Sequence, residues 1–241
     1  MRMPKLFQNI ASPMRRNLGV LRDVDAEDCH LIMDNKRYDT PTSLKGRDHL
    51  QKQRVRGQIR LPGEGLQDEY TKPNAKKHRK NVGGTVNIMA GISGDRVVLW
   101  EEVGSRWCGQ RAAEMYSGPV IKCLRKLYGN KRKFLIAEDN DPTGYKSSKG
   151  KAAKKELGIQ TVDWPPSCPD LMPLDFSLWE NIRVRMEKTD PAGNESALAF
   201  KRRLRLTALR TPKAVVRKMT DAMLTRAQAI YDADGGHIDC D

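Results

Sequence analysis

Acidic side chains crowd one turn of the chain, where Glu138, Asp139 and Asp141 follow the β-prone run 134–137 and precede Pro142. Residues that follow a strand lie at its C-terminal end, where α/β sheets commonly bind ligands. Pro142 stops strand pairing and fixes the turn. Neighbouring carboxylates raise one another's pKa, and Mg²⁺ relieves their repulsion because it prefers hard oxygen ligands. The turn is therefore a candidate metal site. The alternative is an acidic turn on a solvated surface.

Two further aspartates are placed for the same chemistry. Asp175 lies just inside a predicted helix at about 172–186, whose first turn contains Pro173, a favoured residue there. Its spacing from the apolar positions of that helix puts its carboxylate at the border of the buried face, although the same position also suits the helix dipole. Asp34 ends the apolar run of a predicted strand at 29–38. A solvated strand-end aspartate is the alternative there.

The predicted elements follow the order strand, hairpin, helix, strand, helix, strand, helix. This is the order of an α/β, ribonuclease H-like fold: a five-stranded mixed sheet flanked by helices, here with a C-terminal helical extension. In that architecture, carboxylates at the ends of the first strand and of the strand after the first helix converge, and a later helix adds a third. After the first strand, the elements are a hairpin at 83–103, a helix at 110–127, strands at 134–137 and 159–162 around a helix at 147–157, and two helical patterns in 195–231 separated near Thr211-Pro212.

Two linked motifs make the interpretation specific. The DNDP turn at 139–142, followed by WPPSCPDLMPLDFSLW at 164–179, resembles the catalytic core of mariner-superfamily transposases. The resemblance implies that Asp139 is the second catalytic acid and Asp175 the third, that both bind metal, and that the cofactor is a pair of Mg²⁺ (or Mn²⁺) ions. Asp141 and Asp170 are expected to be turn or helix-capping residues. Nothing in the sequence decides the role of Glu138.

The first catalytic acid implied by the resemblance is Asp34, in LIMDNKRY at 31–38. Asn35 stands where the family usually has Glu, so Asp39 and Asp28 are fallback candidates. We expect Asp34, Asp139 and Asp175 to form one metal-sized cluster, with carboxylates on the order of 4–8 Å apart around a shared pair of cations.

The sequence predicts three regions. Residues 1–27 form an N-terminal tail, 28–190 the ribonuclease H-like catalytic core with a basic insertion or flap at 39–82, and 191–241 a C-terminal helical extension of the same domain. Only 33 residues precede Asp34, so we expect a catalytic (DDE endonuclease) domain without the paired helix-turn-helix region that reads transposon ends in this family.

Positive charge predicts a polyanionic partner. The formal net charge is +14, and residues 146–155 hold five lysines and no acid. A single basic run is often no more than a solvated face, but three such runs flank the acidic turn, which favours a groove for double-stranded DNA. The residues predicted to contact nucleic acid are Arg54, Arg56, Lys76, Lys77, Arg79, Lys146, Lys149 and Lys151.

Several other classes of protein are disfavoured. No apolar run approaches the ~18 residues of a membrane span, so we expect no membrane partner. The five cysteines are scattered, which argues against zinc and disulfide frameworks. No phosphate-binding loop, G-x-S-x-G or H-E-x-x-H motif is present. The segment 72–80 is either a nuclear localisation signal or a DNA-contacting loop; we expect a nuclear protein, with homodimerisation left open.

The leading prediction is therefore an enzyme, a DDD-type transposase catalytic domain that cleaves and transfers DNA strands by metal-dependent phosphoryl transfer. The alternative is a catalytically inactive or domesticated basic protein that binds DNA or acts as a scaffold. Retention of three candidate acids favours the enzyme, whereas the expected loss of the DNA-reading region favours decay or reuse.

Overall fold

Five strands form one mixed sheet in a computed structural model that describes residues 29–40, 85–104, 106–162, 169–189 and 195–232. The strands are β1 (Leu31–Asp39), β2 (Thr85–Ser93), β3 (Arg96–Glu102), β4 (Phe134–Ala137) and β5 (Ile159–Thr161). Their order across the sheet is β3-β2-β1-β4-β5. β1 pairs antiparallel with β2 and parallel with β4, and β4 pairs parallel with β5. The predicted five-stranded mixed sheet is confirmed.

Six α-helices are present among the described residues. They are α1 (Gly109–Met115), α2 (Ile121–Tyr128), α3 (Ser148–Leu157), α4 (Trp179–Lys188), α5 (Ala197–Leu209) and α6 (Lys213–Asp232). The hydroxyl of Ser147 caps α3 by accepting a hydrogen bond from the Gly150 N–H at 3.1 Å, as serine at an N-cap does. Helices α5 and α6 separate at Thr211-Pro212, as predicted, because Pro212 cannot continue the hydrogen-bond ladder of α5.

Two π-helical turns interrupt helices that the sequence predicts as regular. Tyr116–Val120 joins α1 to α2 and contains Pro119, whose missing N–H removes one α-helical hydrogen bond. Leu174–Leu178 leads into α4 and carries Asp175. Such wide turns are rare and are frequently found at functional sites. The helical spacing predicted both helices without revealing either widened turn.

The sheet buries an apolar cluster on each face. Side chains alternate along β1, so that Ile32 packs on one face while Leu31 and Met33 pack on the other. The face that Ile32 shares with α4, α5 and α6 is called the front face, and the face covered by α1, α2 and α3 is called the back face. Buried residues of the C-terminal helices, such as Phe200 and Leu204, belong to the front cluster. The C-terminal helices therefore pack on the sheet itself.

The described part of the chain leaves some expectations untested. Apart from Asp39 and Thr40, the predicted flap at 39–82 lies outside the described residues, as does the tail at 1–27. Within the described ranges, none of the helices combines the length and the apolar character that crossing a membrane requires.

Candidate active site

The strand register brings Asp34 and Asp139 to the same end of two neighbouring strands. Ile32 on β1 lies opposite Ala137 on β4, and each aspartate comes two residues after its member of that pair. Because side chains alternate with period two, Asp34 lies on the front face with Ile32. Asp139 follows the end of β4 and is close enough to raise the pKa of the Asp34 carboxyl. Its Oδ1 accepts a hydrogen bond from the Asn140 N–H at 2.6 Å.

Burial and neighbouring charges perturb the acidity of the Asp34 carboxyl. Its residue is 8% exposed, and its pKa rises from 3.8 to about 7, first because burial penalises the charged form and then because Asp175 and Asp139 repel it. The indole N–H of Trp179 donates to Asp34 Oδ2 at 3.0 Å and lowers that pKa in part. Trp179 therefore fixes the orientation of this carboxyl and favours its ionised form.

Asp175 approaches the same place from the π-helical turn. It is exposed to solvent on one side, yet loss of water around its carboxyl raises its pKa, an effect that the ammonium of Lys36 opposes and Asp139 reinforces. Lys36 comes two residues after Asp34 on β1 and so lies on the same face. It is the nearby cation that favours the ionised Asp175. The strand alternation could have indicated Lys36, but the sequence interpretation did not include it.

The three aspartates share one electrostatic environment. Asp34 interacts electrostatically with both Asp139 and Asp175, and oxygen donors of this kind suit Mg²⁺ or Mn²⁺. However, no group of three or more His, Cys, Asp or Glu side chains within the described residues is arranged to hold a metal ion. The carboxylates share a face and an electrostatic environment, and their grouping around a shared pair of cations stays a prediction. Like charges without a cation between them are expected to stay apart.

Glu138 belongs to the other face of the sheet. It is fully buried, accepts a hydrogen bond from the Tyr116 hydroxyl, and forms an ion pair with the Lys154 ammonium. Lys154 also donates to the Tyr145 carbonyl at 3.0 Å. Burial raises the pKa of Glu138, while Lys154 opposes that rise. Glu138 therefore anchors β4 to α3 on the back face and does not join the three aspartates; the pairing with Lys154 was not foreseen from the sequence.

Asp141 is a turn residue, as predicted. Its Oδ2 accepts hydrogen bonds from the Trp107 indole N–H at 2.7 Å and the Gly144 N–H at 2.8 Å. Its Oδ1 accepts one from the Thr143 N–H at 3.1 Å. These bonds favour the ionised form, and the pKa of Asp141 is lowered although burial opposes the change. Both carboxylate oxygens are thus used to hold the loop after Asp139.

The C-terminal helix holds the turn that carries Asp175. The guanidinium of Arg226 on α6 lies over the Phe176 ring at 4.0 Å from its centroid. It also donates to the Asp170 carbonyl at 3.1 Å. Asp170 lies in a turn before the helix, and Pro173 takes the N-cap position of the π-helical turn. Arg226 thus connects α6 to residues on both sides of Asp175 in the sequence, Asp170 and Phe176.

The predicted DNA-contacting residues separate into three groups. Lys146 and Lys151 line a cleft of about 430 Å³ together with Lys133, Lys154 and Lys155; these five residues define the lysine cleft. Lys149 points elsewhere and donates to Gln110 Oε1 at 2.9 Å. The other predicted contacts, Arg54, Arg56, Lys76, Lys77 and Arg79, lie outside the described residues, as does the fallback acid Asp28.

Sequence comparison finds that the chain is similar to transposases of nematodes. No protein-family model matches it. It is 30% identical over 109 residues to the Tc1 transposase of Caenorhabditis elegans, which is 43% of this chain and 36% of the relative. It is 25% identical over 158 residues to the Tcb2 transposase of Caenorhabditis briggsae, which is 65% of this chain and 55% of the relative. The matches therefore span less than two thirds of these relatives' length.

Structure comparison finds that the fold is similar to solved structures of Mos1 transposase. The crystal structure of the catalytic domain of Mos1 mariner transposase matches with a TM-score of 0.62 at 11% identity, covering 96% of this chain and 98% of that domain. A pre-cleavage Mos1 transpososome matches with a TM-score of 0.65 at 13% identity, covering 94% of this chain and 61% of that one. A Mos1 paired-end complex with Mn matches with a TM-score of 0.64 at 14% identity, covering 96% of this chain and 65% of that one. Identities this low show a shared fold, and that fold is ribonuclease H-like.

Proposed function

We propose that this chain cleaves and transfers DNA strands by metal-dependent phosphoryl transfer. The premise is its sequence similarity to the Tc1 transposase and its fold, which is that of a mariner transposase catalytic domain. The catalytic acids in this proposal are Asp34, Asp139 and Asp175. The observation that supports it most is the position of Asp34, a buried carboxyl whose pKa is raised to about 7 by burial and by the other two aspartates. Such perturbation in a cluster of acids is typical of catalytic sites.

Each residue has a distinct part in the proposed site. Asp34, Asp139 and Asp175 would hold a pair of Mg²⁺ or Mn²⁺ ions, and solved Mos1 paired-end complexes contain Mn or Mg. When bound, such ions hold the attacking and leaving oxygens of a phosphodiester displacement. Trp179 keeps Asp34 oriented and ionised through its indole N–H. Lys36 offsets the charge of Asp175 while no metal is present.

Bound cations would draw the ionised carboxylates of this site together. Three like charges on one face repel one another, and cations between them reverse that repulsion. A two-ion site needs each ion to be shared by only some of the acids, and each of the three acids interacts electrostatically with the other two. We therefore expect the three carboxylates to move closer when Mg²⁺ or Mn²⁺ binds.

The substrate and the assembly follow from the same premise. Double-stranded DNA is the proposed partner, supported by the formal net charge of +14 and by likeness to Mos1 complexes with transposon ends. A homodimer is proposed because those complexes are paired-end assemblies. The nucleus is the proposed location, with the basic segment 72–80 as its signal.

A charge-matched pair of variants tests the catalytic proposal. The chain is fused to a sequence-specific DNA-binding module, and nicking of a plasmid is followed with Mg²⁺ and with Mn²⁺. Asp139→Asn is expected to abolish nicking while DNA affinity, measured in EDTA, stays equal or rises, because a negative charge leaves the phosphate-binding surface. The control Asp221→Asn changes the same charge at an exposed position of α6 and should nick normally.

The outcomes separate the two candidate functions. If the Asp139→Asn fusion nicks as well as its parent, the catalytic site lies elsewhere. If the unmutated fusion cuts with neither metal, the chain is a DNA-binding or scaffold protein. This second function is kept because the described residues contain no group of three or more His, Cys, Asp or Glu side chains arranged to hold a metal ion.

A further inference from the structure

The lysine cleft lies on the opposite side of the sheet from the three aspartates. Its walls come from α3, from Lys133 before β4 and from β5 at the edge of the described sheet. Lys154 in this cleft pairs with Glu138, whose neighbour Asp139 belongs to the candidate active site. Because Glu138 packs with the back-face residue Tyr116, the cleft is a separate surface that adjoins the site through β4.

Positive charge accumulates in the lysine cleft. Lys151 and Lys155 are four residues apart on α3, so their side chains project from one face of the helix and repel each other. Of the described residues that line the cleft, none is an acid, and Glu138, which lies behind it, is already paired with Lys154. Among the described residues, Lys133, Lys151 and Lys155 are exposed and none of their ammonium groups forms an ion pair or hydrogen bond.

The ammonium groups of Lys146 and Lys151 are close enough to affect that of Lys154. Burial lowers the pKa of Lys154 most, and Lys146 and Lys151 lower it further, while Glu138 opposes the change. A lysine surface that is only solvated can spread its side chains into water. Here the backbone of a helix and of an edge strand holds them around one concavity of about 430 Å³. An anion with several phosphates would relieve the repulsion.

We propose that the lysine cleft binds the phosphate backbone of double-stranded DNA, at a position separate from the phosphodiester that reacts at the aspartates. This inference rests on the proposed function, since it takes DNA as the substrate, and it adds a second contact surface that would hold the duplex beside the reacting strand. Lys133, Lys151 and Lys155 make the phosphate contacts. Lys154 keeps its structural pairing with Glu138.

Salt dependence of DNA binding by the full chain tests the cleft. Affinity for a duplex of arbitrary sequence is measured in EDTA, so that no cleavage occurs, for the wild type and for K133A/K151A/K155A. Each lost phosphate contact lowers the slope of log affinity against log salt by about 1, so the triple variant should lose about 3. Between about 50 and 200 mM salt, its affinity should then fall about 60-fold less than that of the wild type.

A second triple variant controls for net charge. K122A/R125A/K126A removes three exposed cations from α2, and its slope should stay within about 1 of the wild type. Circular dichroism melts confirm that both variants are folded. In the unmutated chain, DNA should also protect Lys133, Lys151 and Lys155 from acetylation more than Lys122 and Lys126, which gives a readout independent of substitution.

The outcomes distinguish failure of the cleft proposal from failure of the catalytic proposal. Equal slopes for the two triple variants, with equal acetylation of both sets of lysines, would overturn the cleft proposal and leave the catalytic proposal untouched. Inorganic tripolyphosphate is titrated in parallel. If the cleft variant loses tripolyphosphate binding but keeps the full DNA slope, the cleft serves a free polyphosphate and the DNA assignment is overturned. A wild type that binds no DNA at low salt would refute both proposals.

Discussion

Replacing Asp34 by asparagine should change how the stability of the metal-free protein depends on pH. The pKa of Asp34 is about 7 in the folded chain against an ordinary value of 3.8, so the folded state binds a proton more tightly than the unfolded state. The stability that this proton contributes is fully present below about pH 4 and is lost as the pH rises through about 7. Asparagine cannot titrate, and its amide oxygen can still accept the Trp179 hydrogen bond.

The size of the effect follows from the two pKa values. The complete loss is about 4 kcal/mol, at 1.36 kcal/mol for each pH unit that separates the two pKa values. Between pH 5 and pH 8 the linkage relation gives a loss of about 2.5 kcal/mol for the wild type that Asp34→Asn should not show. The raised pKa of Asp175 acts in the same direction, but it does so in both proteins and largely cancels in their difference.

Urea unfolding in EDTA at pH 5 and pH 8 measures this difference. Asp221→Asn is the control, because it removes a carboxylate that is exposed on α6. Added Mg²⁺ should then stabilise the wild type at pH 8 more than Asp34→Asn, because a ligand that binds only the folded state raises its stability. If the wild type and Asp34→Asn show the same pH dependence in EDTA, Asp34 is not held near neutrality by its neighbours and the electrostatic argument for the site is wrong.

Three further substitutions probe the groups around the acids. Trp179→Phe removes the donor that lowers the pKa of Asp34. That pKa should rise, and the pH profile of nicking should shift to higher pH. Lys154→Met leaves Glu138 buried and unpaired and should cost roughly 3–5 kcal/mol in urea unfolding, much of it recovered when Glu138→Gln is added. Arg226→Ala removes a cation stacked beside the third acid. It should cost about 0.5–2 kcal/mol in unfolding and lower nicking more than that loss of stability explains, whereas Arg226→Lys should retain part of the stability and part of the nicking.

Contrary outcomes are specific to each substitution. An unchanged pH profile would mean that the indole hydrogen bond does not control the first acid. A Lys154→Met protein as stable as the wild type would show that the buried pair is not needed. Equal loss of activity and stability in both Arg226 variants would reduce that residue to a packing role.

Local sequence was sufficient for several parts of the fold. The apolar run 134–137 predicted β4, and the sharp change to acids after it placed Asp139 at the strand end. Ser93-Gly94-Asp95 predicted the hairpin, and Gly94 has the positive φ of 57° that such a turn favours. Pro212 predicted the break between α5 and α6. These features depend on backbone preferences of a few adjacent residues, which the sequence states directly.

Tertiary structure alone decided which acids share an environment. Glu138 and Asp139 are adjacent, and alternation along a strand sends them to opposite faces, but only the packing of Tyr116 and Lys154 against Glu138 shows which face each one takes. The raised pKa of Asp34 likewise depends on residues more than a hundred positions away. The sequence predicted that three acids would meet, whereas the distance at which they meet is set by a balance of repulsion, burial and nearby cations. That balance exists only once distant segments are packed together, because each contribution comes from a different element of the fold.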